Sequence, residues 1–597
     1  MIGRFLRLAL ACAGMALLAP GAAASAGSDL AQLAEHYYDA QAHFEPLEAT
    51  FAGDKRFDDQ LPMTHVPAVR ARRFAMLHAV HKALLKIDRS KLVDAEQTSY
   101  DVLSYDLGTA LMFEPFKDYL MPLNQMDSVP VWVAMLGSGQ AMQQIATPAQ
   151  YQLYLKRVEA LPAWTDAAIA AMRSGMAQKV TLPKALVLQV LAQIKALAEA
   201  GPDKSGYTAP VRQFPPSFKA AERKRLSTAY QNALRLRVLP ALRRLAHFIE
   251  HDYLPAARDS AGLGGLPDGA AWYRVCVLAQ TTSNLKPEEI HRIGLAEMER
   301  IQREMIRLAP RLGYLGGPAG LNRWISAQTK YRPFQTEDEV LQAYRDLNAR
   351  IAPLLPQLFA SVPKAPLEIR AVPPLGRASA SDYYTAPQAD GSRPGVFWAV
   401  VPDPAAYAST RMTAMFLHEG QPGHHFQLAR QGELALPKFR QFGRNNAFVE
   451  GWALYAESLG KEMGLYEDPN AEAGHLILDM VRAARLVVDT GLHAQGWTRE
   501  QAIHFLVEQT GESEEGARVA VERYMAMPAQ ALGYKIGALK IAELRQRAQA
   551  SLGDKFSLAR FHDAVLAEGS LPLALLDTRI TAWMTHQSKI VPAIPAK

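Results

Sequence analysis

Residues 418–425 read His-Glu-Gly-Gln-Pro-Gly-His-His and directly follow an apolar run that predicts a buried helix. On a continuous helix His424 would lie about 120° around and about 9 Å along the axis from His418, so the two imidazoles would not meet. Proline removes a backbone donor, and glycine tolerates unusual backbone dihedrals. We therefore predict that the helix is interrupted at Pro422 and Gly423, and that this interruption brings the two histidines together.

Two histidines four residues apart on a helix, with a glutamate after the first, hold zinc in many hydrolases. Here proline occupies the fourth position after His418, so the usual spacing is stretched. If two residues are looped out, His424 becomes the second ligand and Glu419 the general base. His425 lies within about 20° of the phase of His418 but about 10.5 Å away along the axis. His425 is therefore the alternative second ligand. If it does not bind the metal, we expect it to support a ligand or to face the substrate.

A zinc hydrolase with two histidine ligands usually has a third protein ligand and an open position. Segment 445–457 predicts a helix with Glu450 and Glu457 about two turns apart on a face lined by small and apolar residues. Carboxylates on a buried face need a positive partner, which a metal supplies. We predict Glu450 as the third ligand. Glu457 is expected to support a ligand or to pair with a basic residue.

Arg482, Arg485, Asp489 and His493 recur at helical spacing and form a second polar cluster. One interpretation is a ladder of ion pairs within a single helix. The alternative places Asp489 beside the metal ligands, as a group that orients them, and His493 beside the substrate.

These motifs together resemble the bacterial domain-of-unknown-function 885 family, whose hallmark is a His-Glu-x-x-Pro-Gly-His-His block. The resemblance spans most of the chain and implies a fold and a metal site rather than a particular substrate. Its other segments are 266–269 with Tyr273, 383–384, 448–457, 485–493 and 528–537.

The chain is also distantly similar to thimet-oligopeptidase-like zinc peptidases, in which a glutamate ligand and a later Gly-Tyr segment follow the metal helix. This similarity implies that Tyr534 donates a hydrogen bond to the oxyanion formed during attack. Arg523 and Tyr524 are expected to approach Tyr534, where an arginine suits the terminal carboxylate of a peptide; a surface position for Arg523 is the alternative. Tyr384 is a further candidate for substrate binding.

The N-terminus has the features of a secretory signal. Arg4 and Arg7 precede an apolar stretch at 8–19, and a small-x-small site predicts cleavage after Ala26. We expect a periplasmic or secreted protein with no stable membrane insertion. Cys12 lies inside the apolar stretch, which disfavours a lipid anchor there. The net charge of +6 is modest for 597 residues, so a nucleic-acid partner is not expected.

The pattern along the chain predicts a mainly α fold, a large two-lobed multi-helix body with a central cleft and a small β-sheet beside the metal helix. We expect a signal peptide at 1–26, an N-terminal helical region at 27–261 and a catalytic region at 262–597. Helices are predicted at 148–172, 184–200 and 287–308, and strands at 367–372 and 396–401.

The expected function is a metallopeptidase that holds one zinc ion per chain and acts on short or unfolded peptides. A non-catalytic protein that binds peptides or metal is the alternative from another class. A zinc hydrolase of esters or non-peptide amides is a third possibility that the sequence does not separate from the first.

Overall fold

The computed structural model describes residues 25–137, 143–372, 381–388, 391 and 393–589. The predicted signal residues up to Ala24, with Cys12 among them, lie outside these ranges. The described chain is mainly helical with one small sheet, which confirms the predicted fold class. No helix in the described ranges is long and apolar enough to cross a membrane.

The first part of the chain consists of ten helices, of which the last three form one continuous rod through π-helical turns at Leu234–Val238 and Ile249–Tyr253. The ten are α1 Ala26–Phe44, α2 Pro46–Phe51, α3 Pro67–Leu84, α4 Asp94–Leu111, α5 Val129–Gly137, α6 Pro148–Ala177, α7 Lys184–Glu199, α8 Ala220–Ala233, α9 Leu239–Phe248 and α10 Leu254–Ala256.

Five helices, three short strands and ten further helices follow. They are α11 Gly269–Thr281, α12 Pro287–Leu312, α13 Pro318–Ser326, α14 Glu337–Ile351, α15 Leu355–Leu358, β1 Leu367–Ala371, β2 Tyr383–Thr385, β3 Gly395–Ala399, α16 Met412–Glu419, α17 His424–Glu433, α18 Lys438–Gln441, α19 Asn446–Ser458, α20 Pro469–Ala494, α21 Arg499–Thr510, α22 Glu514–Ala526, α23 Leu532–Leu552, α24 Leu558–Leu566 and α25 Leu573–Lys589.

The sheet has the order β1-β3-β2, with β1 parallel and β2 antiparallel to the central strand β3. Every residue of β3 is buried. Its Phe397 contacts Phe416 of α16 and Tyr344 of α14, so the sheet packs directly against α16, the helix that carries His418. Two of the strands were predicted from sequence. The third, β2, is only three residues long and gives little sequence signal.

The helices of the first part of the chain belong to different hydrophobic cores. Residues of α1, α3 and α4 pack in the same core as α16, α19 and α23, whereas α5 to α10 surround a separate core. Residue 262 lies in a loop against the end of α20, where a Cβ atom on Gly262 would lie 1.9 Å from the carbonyl oxygen of Leu492. The glycine-rich break therefore marks a close backbone contact.

Helices α19 and α23 approach each other through two glycines. A Cβ atom on Gly451 would lie 2.5 Å from the Cα atom of Gly537, and one on Gly537 would lie 1.8 Å from the carbonyl oxygen of Ala447. Side chains at these two positions would force the helices apart. This crossing sets the distance between the helix that carries Glu450 and the helix that carries Tyr534.

We predict that Gly537→Ala destabilises the protein by about 1–3 kcal/mol, because the added methyl group overpacks the crossing. The matched control is Gly108→Ala in α4, where an added Cβ atom meets nothing within 4 Å. The control should be neutral or slightly stabilising, since alanine favours the helix. The midpoint temperatures of thermal unfolding compare the two variants, and equal midpoints would contradict the proposed contact.

Candidate metal centre

The helix that begins at Met412 ends at Glu419, and a new helix begins at His424, so the predicted interruption is present. Gly423 passes directly over the end of the first helix: a Cβ atom there would lie 2.0 Å from the carbonyl oxygen of His418. The indole Nε1 of Trp452 in α19 donates a hydrogen bond of 2.8 Å to the carbonyl oxygen of Pro422. Glycine is therefore required at 423, and α19 holds the turn in place.

The turn brings the imidazoles of His418 and His424 together, with ring centroids 4.8 Å apart and planes at 83°. Oε2 of Glu450 lies 3.6 Å from Nε2 of His418 and 3.3 Å from Nε2 of His424. Glu419 adds a second carboxylate, with a ligand atom within 4.8 Å of one on each histidine. Four side chains from three helices thus meet at one buried point.

The separations around Glu450 suit a tetrahedral metal. Zinc bonds of about 2.1 Å place neighbouring ligand atoms roughly 3.4 Å apart. Oε2 of Glu450 and Nδ1 of His424 are buried and have no hydrogen-bond partner among the described residues. A buried carboxylate oxygen with no partner, facing two imidazole nitrogens, fits a cation between them. Of the two carboxylates, Glu450 comes closer to both rings and is the better third ligand.

Glu457 supports His418 from behind. Its Oε1 lies 2.8 Å from Nδ1 of His418, which leaves Nε2 of that ring facing Glu450. Arg482 approaches the same carboxylate at 3.7 Å, and His475 approaches its other oxygen at 3.8 Å. Burial alone would raise the pKa of Glu457, but Arg482 and His418 outweigh it and lower the pKa. A carboxylate that fixes the ring of a histidine ligand is frequent in metal sites.

The charges of the cluster are strongly coupled. Burial, with the Glu450 carboxylate adding to it and His418 opposing it, raises the pKa of Glu419 to about 8. For His418 burial lowers the pKa, but Glu450 and Glu457 outweigh it and raise the pKa to about 10. Without a metal, Glu419 and His418 therefore favour their protonated forms. A divalent cation bound there would supply the positive charge instead.

His425 faces away from this cluster. Its Nδ1 lies 2.9 Å from the hydroxyl of Tyr384 in β2. Burial lowers the pKa of His425 to about 4 and keeps the ring neutral. The structure brings His424, and not His425, to His418 and Glu450.

Tyr534 lies beside the candidate ligand His418. The two rings are stacked, with centroids 6.1 Å apart and planes at 11°. Nη2 of Arg523 donates a hydrogen bond of 3.3 Å to the Tyr534 hydroxyl. The guanidinium of Arg485 lies 4.6 Å from the centre of the Tyr534 ring, and its Nε donates to the hydroxyl of Tyr524 at 3.2 Å. Two of the predicted substrate-binding residues, Arg523 and Tyr524, are therefore close to Tyr534.

The two interpretations of the 482–493 cluster both need correction. No ladder forms among the described residues, because Arg482 pairs with Glu457 and Asp489 accepts from the Tyr273 hydroxyl at 2.6 Å and from the Ala529 amide. Asp489 is fully buried away from the ligands, and burial, opposed by those two donors, raises its pKa to about 7.

His493 is likewise occupied by the backbone. Its Nδ1 accepts from the amide of Leu263 at 2.9 Å, and its Nε2 lies 3.0 Å from the carbonyl oxygen of Tyr524. Both ring nitrogens are used, so His493 joins the loop at 262–266 to α22 and is not retained as a substrate-binding residue.

Two residues that act on the site were not predicted there: Arg485, which sequence reasoning placed in the ladder, and Asp382, whose charge adds to the rise in the pKa of Glu419 and whose own pKa is raised by burial to about 6. The signal for Arg485 is present in the sequence. Nearly every residue of α20 from 471 to 493 is buried, so an arginine in this segment needs a partner inside the protein.

The family model described as "Bacterial protein of unknown function (DUF885)" matches residues 46–580. Among solved structures, the chain is similar to "the putative lipoprotein from Colwellia psychrerythraea", with 28% identity and a TM-score of 0.87, covering 94% of this chain and 100% of that one. It shares its fold with "a putative lipoprotein of unknown function from Shewanella oneidensis", with 19% identity and a TM-score of 0.71, covering 92% and 99%. No curated protein matches the chain.

We predict that His424→Ala lowers the zinc content of the purified protein, because it removes a nitrogen that converges with His418 and Glu450. His425→Ala is the matched control, since its ring bonds to Tyr384 and should leave zinc content unchanged. Zinc is measured by atomic emission after equilibration with buffered zinc. Loss of zinc in the His425 variant alone would reverse the assignment.

Proposed function

The chain belongs to the bacterial DUF885 family, and we propose that it is an exported zinc-dependent hydrolase of short or unfolded peptides. One observation carries the proposal. The carboxylate of Glu419 is buried and lies within 4.8 Å of the ligand atoms of both histidines, in addition to the carboxylate of Glu450. A protein that only stores metal has no need of a second carboxylate beside the ligands.

His418, His424 and Glu450 are the residues that would hold the ion. Zinc bound there would polarise a substrate carbonyl and lower the pKa of a water molecule. The donor set of two imidazoles and one carboxylate, without a thiolate, suits zinc and leaves room for manganese or cobalt.

Glu419 serves as the general base. It accepts a proton from the attacking water and delivers it to the nitrogen of the departing peptide. Its pKa, raised by burial to about 8 in the absence of a metal, would fall when a cation occupies the neighbouring site. The carboxylate is then ionised and ready to accept the proton near neutral pH.

Tyr534 stabilises the charge that develops on the carbonyl oxygen. Because Arg523 donates to the Tyr534 hydroxyl oxygen, the phenol proton is free to point at the substrate. The stacked ring of His418 and the guanidinium of Arg485 restrict the position of the phenol. A donor placed in advance costs no rearrangement during the reaction.

A cavity of about 580 Å³ is lined by Tyr384 and the rest of β2, by Gln431 and by Arg444. The candidate ligands, Glu419 and Tyr534 are not among its lining residues, so its link to the proposed reaction is through β2. In the described part of the chain β2 pairs only with β3, so its other edge is available to an extended backbone. Addition of a substrate strand at such an edge is a common mode of peptide recognition.

Export is part of the proposal for two reasons. The N-terminal sequence has the features of a secretory signal, and the two similar solved structures are described as putative lipoproteins. Cleavage after Ala26 and release into the periplasm or the medium is the form of export that we propose.

We predict that Glu419→Gln keeps zinc but lowers kcat by about 100- to 10,000-fold, because the amide cannot accept a proton. Glu508→Gln, at an exposed position of α21, is the control and should behave as the parent protein. Digestion of a peptide library, followed by mass spectrometry, measures turnover. A zinc-loaded Glu419 variant that cleaves as fast as the parent would exclude this mechanism.

Tyr534→Phe should lower kcat by about 100- to 1,000-fold with little change in KM, since the lost hydrogen bond forms mainly in the transition state. The phenylalanine ring retains the stack on His418, so zinc content should be unaffected. Steady-state kinetics on one cleaved peptide separates the two constants, and a change confined to KM would assign Tyr534 to ground-state binding.

A further inference from the structure

Two arginines beside the candidate metal centre have no acidic partner in the part of the chain that the structure describes. Arg485 donates to the hydroxyl of Tyr524 and lies over the Tyr534 ring, while Arg523 donates to the Tyr534 hydroxyl and to Gln530. No carboxylate of the described residues lies within 4 Å of either guanidinium. Nη1 of Arg485 and Nε of Arg523 are buried and unpaired. Buried polar groups normally have a hydrogen-bond partner, so these two nitrogens offer donors to an anionic ligand.

A third arginine close to the site does have an acidic partner: Arg482 approaches Glu457 at 3.7 Å. Arg485 and Arg523 contact Tyr534 instead. Their guanidinium groups therefore lie on the Tyr534 side of the candidate ligands.

The larger cavity of about 770 Å³ behind α19 provides a contrast. Three of its cations are paired: Lys535 and Arg300 both bind Asp479, and Arg311 binds Glu472. Arg485 and Arg523 differ from these three in having no carboxylate within 4 Å among the described residues.

We propose that Arg523 and Arg485 bind the terminal carboxylate of a peptide, so that the protein removes residues from the C-terminal end of its substrates. This inference rests on the proposed hydrolase function. Arg523 is one hydrogen bond from the Tyr534 hydroxyl, which contacts the scissile carbonyl. A chain advances about 3.3–3.6 Å per residue, so a carboxylate held at Arg523 lies one or two residues beyond the scissile bond. Arginine also suits a carboxylate geometrically, through paired hydrogen bonds.

The test compares three versions of one pentapeptide with the zinc-loaded parent protein: the free acid, the C-terminal amide, and an amide whose last residue is glutamate. The free acid should be cleaved with a KM about 10- to 100-fold below that of the plain amide, and the product should be one or two C-terminal residues. Equal cleavage of acid and amide would overturn the inference and leave the hydrolase proposal intact. Preference for the glutamate amide would assign the arginines to an acidic side chain and would also overturn it.

Binding without turnover separates the two proposals. Calorimetry on the metal-free protein measures the dissociation constants of the free acid and of the amide. We expect the acid to bind about 10- to 100-fold more tightly, because only the acid has a carboxylate for the arginines. Arg523→Gln should abolish this difference, while Arg303→Gln, an exposed position of α12, should not. A preference for the acid without cleavage of any peptide would support the carboxylate site and contradict the hydrolase function. No preference in either protein would refute the site.

Discussion

The candidate centre depends on one backbone contact, the passage of Gly423 over the carbonyl end of α16. Any side chain at this position would meet the oxygen of His418. Because the chain can pass there, α17 begins with His424 directed back at His418. The hydrogen bond from Trp452 to Pro422 then ties the same turn to α19, which carries Glu450. A turn of four residues therefore fixes the relative positions of three helices and of the three candidate ligands.

The second constraint on this arrangement is the charge of its buried side chains. Burying three carboxylates beside two imidazoles is unfavourable unless positive charge is supplied. Without a metal the cluster holds protons, as the raised pKa values of Glu419 and His418 indicate. If a divalent ion occupies the cluster, as we propose, its binding and the ionisation of Glu419 are two parts of one equilibrium.

Local sequence signals predicted much of this structure. The residue pattern along the chain indicated α6, α7 and α12, and the Pro-Gly pair indicated the interruption between α16 and α17. The choice between His424 and His425 depends on the path of the turn, which a tryptophan about 30 residues later stabilises. Helical spacing placed Asp489 on one face of α20 but gave no information on its partner, Tyr273, which lies 216 residues earlier. Long-range pairing of this kind has no signature in a single sequence.

The crossing of α19 and α23 connects the charged network of the larger cavity to the position of Tyr534. Gly451 follows Glu450 directly, and Gly537 lies about one turn after Tyr534, so the glycine contact fixes how far the phenol is from the ligand. The glycine contact sets this distance but does not by itself set the rotation of α23 about its own axis. Lys535 directly follows Tyr534 in sequence, is buried, and pairs with Asp479 of α20. Breaking a buried ion pair is strongly unfavourable, so this pair resists rotation. Neighbouring residues of a helix point about 100° apart. Holding Lys535 toward Asp479 therefore directs Tyr534 toward His418, and the ion pairs of the larger cavity act on the centre through the orientation of α23.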